Sequence, residues 1–222
     1  MAGRAMGLPV LVQTTQMARY EAALAQLREQ GLVYRCFKTR RDIEEAMQAP
    51  HVAPGEAYVG EPLPAAEEAE RVGRGDAYAW RLSMARALGQ ATGGLTYQEQ
   101  TADGVRMRIA DPAPFGDAVL GRKESGTSYH LASVLDDALQ SVTHVIRGEE
   151  LREAAGLHVL LQRLLGLPTP IYRHHAMLVN AQGVRLSKRD GALAIRAMRE
   201  EGMTPAHVRA MALAQGDATR QV

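Results

Sequence analysis

Apolar positions recur at helical spacing near the start of the chain. Met17, Tyr20, Leu24 and Leu27 lie three and four residues apart, which predicts an amphipathic helix over residues 14–30. Thr14 or Thr15 is placed to cap its start and Gly31 to close its end. A short apolar run at 32–37 predicts a strand. Thr39 followed by Asp42 has the spacing of a capping box and opens a helix through about Met47. Prolines and glycines crowd residues 50–65, which predicts a loop, and the acidic stretch 64–71 predicts a short exposed helix. Strands are predicted at 77–82, 105–109 and 117–120. Residues 84–103 are small and polar, with periodicity too weak to assign an element.

Two further apolar runs, 129–135 and 144–146, read as buried strands, the first stopped by Asp136-Asp137 and the second by Arg147-Gly148. Asp136-Asp137 reads as an N-cap for the short segment 138–141 rather than as a catalytic or metal pair. From Glu149 the leucines 157, 160, 161, 164 and 165 give a wide helical stripe, closed by Gly166 and Pro168. The tail from Ala192 reads as helical, with Thr204 as N-cap and Pro205 at the first helical position. Short strands alternating with helices predict an α/β fold with a mostly parallel sheet.

Composition narrows the function classes. The 222 residues carry 26 Lys+Arg against 25 Asp+Glu, a net charge of +1, so no global field holds nucleic acid. Any such contact must come from a local cluster, for example Lys38, Arg40 and Arg41, for which a solvated helix start is the alternative. Aromatic residues are 5% of the chain, too few for a base-stacking platform. No apolar run reaches the roughly 20 residues a membrane span needs, and nothing marks an oxidising compartment, so a cytoplasmic protein is expected. Cys36 is the single cysteine, which excludes an intramolecular disulfide and a cysteine-rich zinc site. His174 and His175 are adjacent on a strand and point to opposite faces, so they do not chelate one metal together.

Two segments carry candidate chemistry. Arg185, Lys188 and Arg189 fall within a loop running from Gly183 to Gly191, next to Ser187. Such a loop suits a polyphosphate, with Lys188 as a compact positive charge on developing negative charge. A solvated basic turn is the alternative. Arg147 lies at the carboxyl end of a predicted strand, where open α/β sheets bind ligands, and its fork suits a small carboxylate. An ion pair with Glu149 or Glu150 is the alternative there.

Tyr129-His-Leu-Ala-Ser-Val-Leu-Asp136-Asp137, the following Thr143-His144-Val-Ile-Arg147-Gly148-Glu149, the run Leu164-Leu-Gly-Leu-Pro-Thr-Pro and the loop Arg185-Leu-Ser187-Lys188-Arg occur in an order that resembles glutamyl-tRNA synthetases. The loop is similar to the KMSKS signature of class I synthetases, with Leu186 in place of Met and Arg at both ends. The likeness spans about residues 10–210. With no room for an anticodon-binding domain after the loop, the chain resembles the short glutamyl-queuosine tRNA(Asp) synthetase paralogues. The resemblance implies a Rossmann-like nucleotide-binding fold with a parallel sheet over residues 1–34 and 117–222. It also implies an inserted α+β acceptor-stem subdomain over 35–116, and C-terminal helices.

The resemblance further implies activation of L-glutamate with ATP and Mg2+ and its transfer to the queuosine base of tRNA(Asp). Tyr129 and Arg147 would bind glutamate; Lys188, with Ser187 and Arg185, would bind ATP. A monomer is expected. Residues 1–35 match neither the Arg-Phe-Ala-Pro-Ser-Pro-Thr-Gly-like segment nor the HIGH signature that open the family's fold. The expectation is therefore an N-terminally truncated nucleotide-binding unit with impaired adenylate formation. The competing expectations are a non-catalytic tRNA-binding remnant and an inactive gene fragment. Many family members carry a zinc site. Here Cys36-Phe37-Lys38 stands where a Cys-x-Cys would be, Tyr58 matches a ligand tyrosine and Pro62 replaces a further Cys, so no zinc is expected.

Overall fold

The computed structural model describes residues 10–48, 56–122, 126–177 and 194–218. The first helix, α1 (Met17–Glu29), buries Tyr20, Ala23, Leu24 and Leu27 along one stripe. Its start is framed by a 3-10 turn at Gln13–Thr15, and neither Thr14 nor Thr15 caps it; the N-cap is Gln16, with no side-chain bond. Gly31 closes it at φ +70°, where its own N–H reaches Arg28 O and the Leu32 N–H reaches back to Leu27 O at 3.0 Å. A left-handed residue lets both orphan carbonyls be met, and glycine adopts that φ without penalty.

Strand β1 (Val33–Cys36) follows, then α2 (Arg40–Met47) with the capping box intact: Thr39 Oγ1 accepts from Asp42 N and Asp42 accepts from Thr39 N. The acidic segment forms α3 (Ala65–Gly73), and β2 (Ala79–Leu82) pairs antiparallel with β1.

The stretch without assigned periodicity holds two elements, α4 (Met84–Gln90) and β3 (Thr96–Thr101). The reason is local. The α4 start is fixed from a distance, by Asp117 Oδ1 accepting from Met84 N at 2.8 Å. The alternation of β3 is concealed because one of its inward residues, Glu99, is charged. A tight hairpin leads to β4 (Gly104–Ile109), and β5 (Val119–Arg122) adds antiparallel to β2.

The run 129–135 is a helix, α5 (Tyr129–Leu139), which corrects the predicted strand. Leu131, Ala132, Val134 and Leu135 are buried at helical spacing, and a short apolar run does not by itself separate strand from helix. Ser128 Oγ accepts from Leu131 N and caps the start. Asp136 does not stop the helix, because its buried carboxylate accepts from the Tyr20 hydroxyl and from Gln13 Nε2. The N-cap reading of Asp136-Asp137 fails for the same reason.

Strand β6 (His144–Gly148) and a 3-10 turn at Glu149–Leu151 lead into α6 (Ala154–Leu165), which starts later than predicted but ends at Gly166. Then come β7 (Ile171–His175), α7 (Ile195–Glu200) and α8 (Pro205–Ala218). Thr204 Oγ1 accepts from His207 N, as an N-cap should.

The strands form two sheets, ordered β1-β2-β5 and β4-β3-β7-β6. The α/β class holds, with parallel pairing between β6 and β7 and between β3 and β7; the β3–β4 hairpin and the whole three-stranded sheet are antiparallel. One apolar core joins them, with Leu24 and Leu27 of α1, Leu131 and Val134 of α5, and Leu157, Leu160 and Leu161 of α6 packed toward Tyr172 of β7. Asp117, buried at the entry to β5, ties distant segments together. It accepts from the Tyr34 hydroxyl at 2.7 Å, Gly60 N at 2.9 Å and Met84 N.

Candidate active site

Arg147 sits one residue from the end of β6, opposite His174 in the parallel register with β7. Alternation turns both side chains inward, and Arg147 is only 8% exposed. The guanidinium lies over the Tyr172 ring, 5.0 Å from its centroid. Its Nε donates to His174 Nε2 at 3.3 Å and its NH1 to His158 Nδ1 at 3.2 Å. Its NH2 is buried without a hydrogen-bond partner. The alternative pairing with Glu149 does not form, since Glu149 binds Arg152 instead.

Arginine has only donors, so both imidazoles must offer bare nitrogens to it and stay neutral. Burial, then the charge of Arg147 and the neighbouring His130, drives the His158 pKa down to about 3. His158 Nε2 faces His130 Nδ1 at 3.1 Å, and burial together with Arg147 lowers His130 as well. A buried cation met by neutral acceptors keeps its charge available. The field of Arg147 reaches Asp137: burial and Asp136 push the Asp137 pKa up, and Arg147 opposes that.

Tyr129 opens α5 rather than a strand, and it is 55% exposed. Its ring lies 5.8 Å from the His158 ring and 5.4 Å from that of His130. Tyr129 and Arg147, 18 positions apart in sequence, thus converge on the same histidine. One is an exposed phenol, the other a buried cationic fork with a spare N–H. Together they can bind a small anionic solute.

Three residues of this cluster escaped the sequence reading. His158 hides in a leucine stripe, His174 was weighed only as a metal ligand, and Glu99 lies in the stretch left unassigned. Glu99 is 1% exposed and accepts from His174 Nδ1 at 2.9 Å, from Arg108 Nε at 2.8 Å and from Arg152. Burial alone would raise its pKa; the bonds from His174 and Arg108 and the charges of Arg152 and Arg108 overcome that and hold it low. The only sequence signal was the period-two alternation of Tyr97 and Glu99 against Gln98 and Gln100.

Arg185, Ser187 and Lys188 lie outside the described residues. Arg40 and Arg41 are exposed and paired along their own helix with Glu44 and Glu45. His174 points inward and His175 is exposed, as alternation requires. Cys36 is buried with its Sγ 3.8 Å from the Tyr58 hydroxyl. One thiolate and one phenol, with Lys38 and Pro62 at the remaining positions, do not make a four-ligand zinc site. Among the described residues no group of three or more His, Cys, Asp or Glu is placed to hold a metal. Among them, too, no helix is long and apolar enough to cross a membrane.

A buried arginine at the carboxyl end of a parallel strand stands where open α/β folds place their ligand sites. The chain belongs to the tRNA synthetases class I (E and Q), whose catalytic-domain family matches residues 7–217. It is 43% identical over 217 residues to a glutamyl-Q tRNA(Asp) synthetase of Rhodobacter capsulatus, covering 90% of this chain and 74% of that one. Proteins of the same description from Nocardia farcinica (39%; 94% of this chain, 65% of that one) and Leptothrix cholodnii (41%; 84% and 61%) are also similar. The chain therefore spans about three fifths to three quarters of these relatives' lengths. Among solved structures, a glutamate tRNA ligase from Elizabethkingia meningosepticum, in complex with its amino acid, superposes with TM-score 0.64 at 25% identity, covering 84% of this chain and 38% of that one. A glutamate-tRNA synthetase from Elizabethkingia anophelis gives TM-score 0.61 at 24% identity, covering 81% and 37%, a likeness of fold.

Proposed function

We propose that this chain activates L-glutamate with ATP and passes it to the queuosine base of tRNA(Asp). The observation that carries the proposal is Arg147: a buried guanidinium with two N–H directions held by neutral imidazoles and a third left without a partner. An unmet buried donor is costly, by about 1–3 kcal/mol, and a substrate carboxylate relieves it with a charge-assisted bond. Tyr129, whose ring lies 5.8 Å from that of His158, adds a hydroxyl. Arg147 and Tyr129 are thus the glutamate-binding pair.

Lys188, with Ser187 and Arg185, binds the ATP phosphates, whose Mg2+ arrives with the nucleotide as substrate. Lys188 offsets charge as pyrophosphate leaves. Residues 35–116 act as the acceptor-stem subdomain, set against the nucleotide-binding residues 1–34 and 117–222. The protein works in the cytoplasm as a monomer.

The first test is calorimetric. L-Glutamate is expected to bind the chain, and Arg147→Ala to abolish binding. Unchanged affinity in that variant rejects the assigned pair. The second test offers labelled glutamate and ATP with tRNA(Asp) that carries or lacks queuosine. Label on the queuosine form alone supports the acceptor assignment; equal label on both moves the acceptor to the tRNA end.

A further inference from the structure

The Arg147 fork is held by a chain of side chains that begins 48 positions earlier, at Glu99. Each link is directional. Arg147 Nε can only donate, so His174 Nε2 must be the bare nitrogen. The His174 proton is then on Nδ1, which faces Glu99 Oε1 at 2.9 Å. The His174 side chain is fully buried and stacks on Tyr172, ring centroids 6.3 Å apart at 4°. Turning the ring over would break the bonds it makes to both Glu99 and Arg147.

We infer that Glu99 and His174 are positioning residues for the glutamate site, Glu99 fixing the His174 tautomer that orients the Arg147 fork. The inference rests on the reading of Arg147 as the glutamate-binding arginine.

Glu99 suits the task because its charge is otherwise satisfied. Arg108 and Arg152 pair with the same carboxylate, so it remains ionised although fully buried. Free neutral imidazole favours the opposite tautomer, with the proton on Nε2. In that form two N–H groups, His174 Nε2 and Arg147 Nε, would face each other across 3.3 Å. Arg147 would then swing or shed a bond, and a binding fork displaced by a fraction of an ångström loses its alignment with a carboxylate. The groups facing His174 are Glu99 from β3, Arg147 from β6, Tyr172 from β7, and Arg152 and Glu149 from the turn after β6. Burial, then the two arginines, lowers the His174 pKa against the opposing pull of Glu99, which keeps the ring neutral.

The test uses the full chain and nitrogen-15 histidine spectra beside glutamate titrations. In the wild type His174 is expected as the Nδ1–H tautomer. Glu99→Met is expected to convert it to Nε2–H and to weaken glutamate binding about tenfold or more, the usual scale for losing such a supporting contact. Retention of Nδ1–H in Glu99→Met, or conversion with unchanged glutamate affinity, overturns the inference. Should Glu99→Met fail to fold, two ring replacements decide. His174→Phe is expected to lose the same affinity, and His174→Gln, whose amide oxygen can accept from Arg147, to recover several-fold of it. Equal affinities in those two variants overturn the inference. If the wild type fails to bind glutamate, or Arg147→Ala binds it normally, the glutamate reading fails. The tautomer and the hydrogen-exchange protection of Arg147 Nε–H, measured with and without Glu99, then decide the clamp by themselves.

Discussion

Arg147 donates to His158 Nδ1 at 3.2 Å inside the core, which obliges His158 to remain an uncharged acceptor. This bond links pH to stability. In the folded chain His158 takes a proton only near pH 3, whereas in the unfolded chain it does so near 6.5. Between those values the unfolded state binds more protons, so acid favours unfolding. The contribution is complete above about pH 6.5 and is lost progressively as pH falls toward 3. His130, also lowered mainly by burial, adds to the same slope. The urea midpoint is expected to fall from pH 7.5 to pH 5, and to fall less in His158→Gln. Parallel pH profiles for the two proteins would contradict the assignment.

Tyr20 donates its hydroxyl to Asp136 Oδ1 at 2.8 Å, and both groups are buried between α1 and α5. Burial, then the bond and charge of Asp136, pushes the phenol pKa to about 12. Tyr20→Phe keeps the ring and removes one donor, leaving the Asp136 carboxylate with Gln13 Nε2. A buried carboxylate that loses one of its two side-chain donors in this way is expected to cost about 1–3 kcal/mol in denaturant unfolding. A change below a few tenths would mean that water replaces the hydroxyl.

These two contacts mark where the sequence was legible and where it was not. Helix α1, the Thr39–Asp42 capping box and the Gly166 terminus follow local rules and were readable from spacing alone. So was the place of Arg147 at the carboxyl end of a strand. Helix α5 was misread because its Asp136 reads locally as a breaker, and only the distant Tyr20 makes it a helix-interior residue. Helix α4 and strand β3 were missed for the same physical reason: Asp117 and Glu99 are buried carboxylates with partners far away in the chain, Met84 for the first and His174 and Arg152 for the second. The site follows this pattern. Its arginine and tyrosine were visible as residue types, but the histidines that hold the arginine are recognisable only once β3, β6, β7 and α6 are packed together.

Gly156 in α6 is a packing requirement. A Cβ there would lie 2.3 Å from Asp111 O and 3.0 Å from Pro112 N, both backbone atoms that cannot step aside. The helix therefore touches the segment after β4 through its bare backbone. Gly156→Ala gains helix propensity of up to about 1 kcal/mol. The clash is expected to exceed that and leave a net loss of about 1–3 kcal/mol. Arg152 and Glu153 stand next to this contact, so the substitution is also expected to weaken glutamate binding through Glu99. A stabilised variant in thermal unfolding would show that the 111–112 segment yields.

Ser141, just past the end of α5, is the one non-glycine residue at positive φ among those described, at +53°. The geometry is that of a left-handed helix terminus. Its N–H bonds to Ala138 O at 3.1 Å and the Val142 N–H reaches back to Asp137 O at 2.9 Å. A side chain in this conformation carries about 1–2 kcal/mol of steric cost. Glycine removes that cost but adds backbone freedom to the unfolded chain, worth about 0.5–1 kcal/mol. Ser141→Gly is thus expected to stabilise the fold by about 0.5–1 kcal/mol, read as a higher urea midpoint with an unchanged slope. The gain should come without loss of glutamate affinity, because Val142 and Thr143 keep the same path into β6. A destabilised Ser141→Gly protein would mean that the serine hydroxyl holds this turn, and that the strain at +53° is offset by a bond the backbone alone does not make.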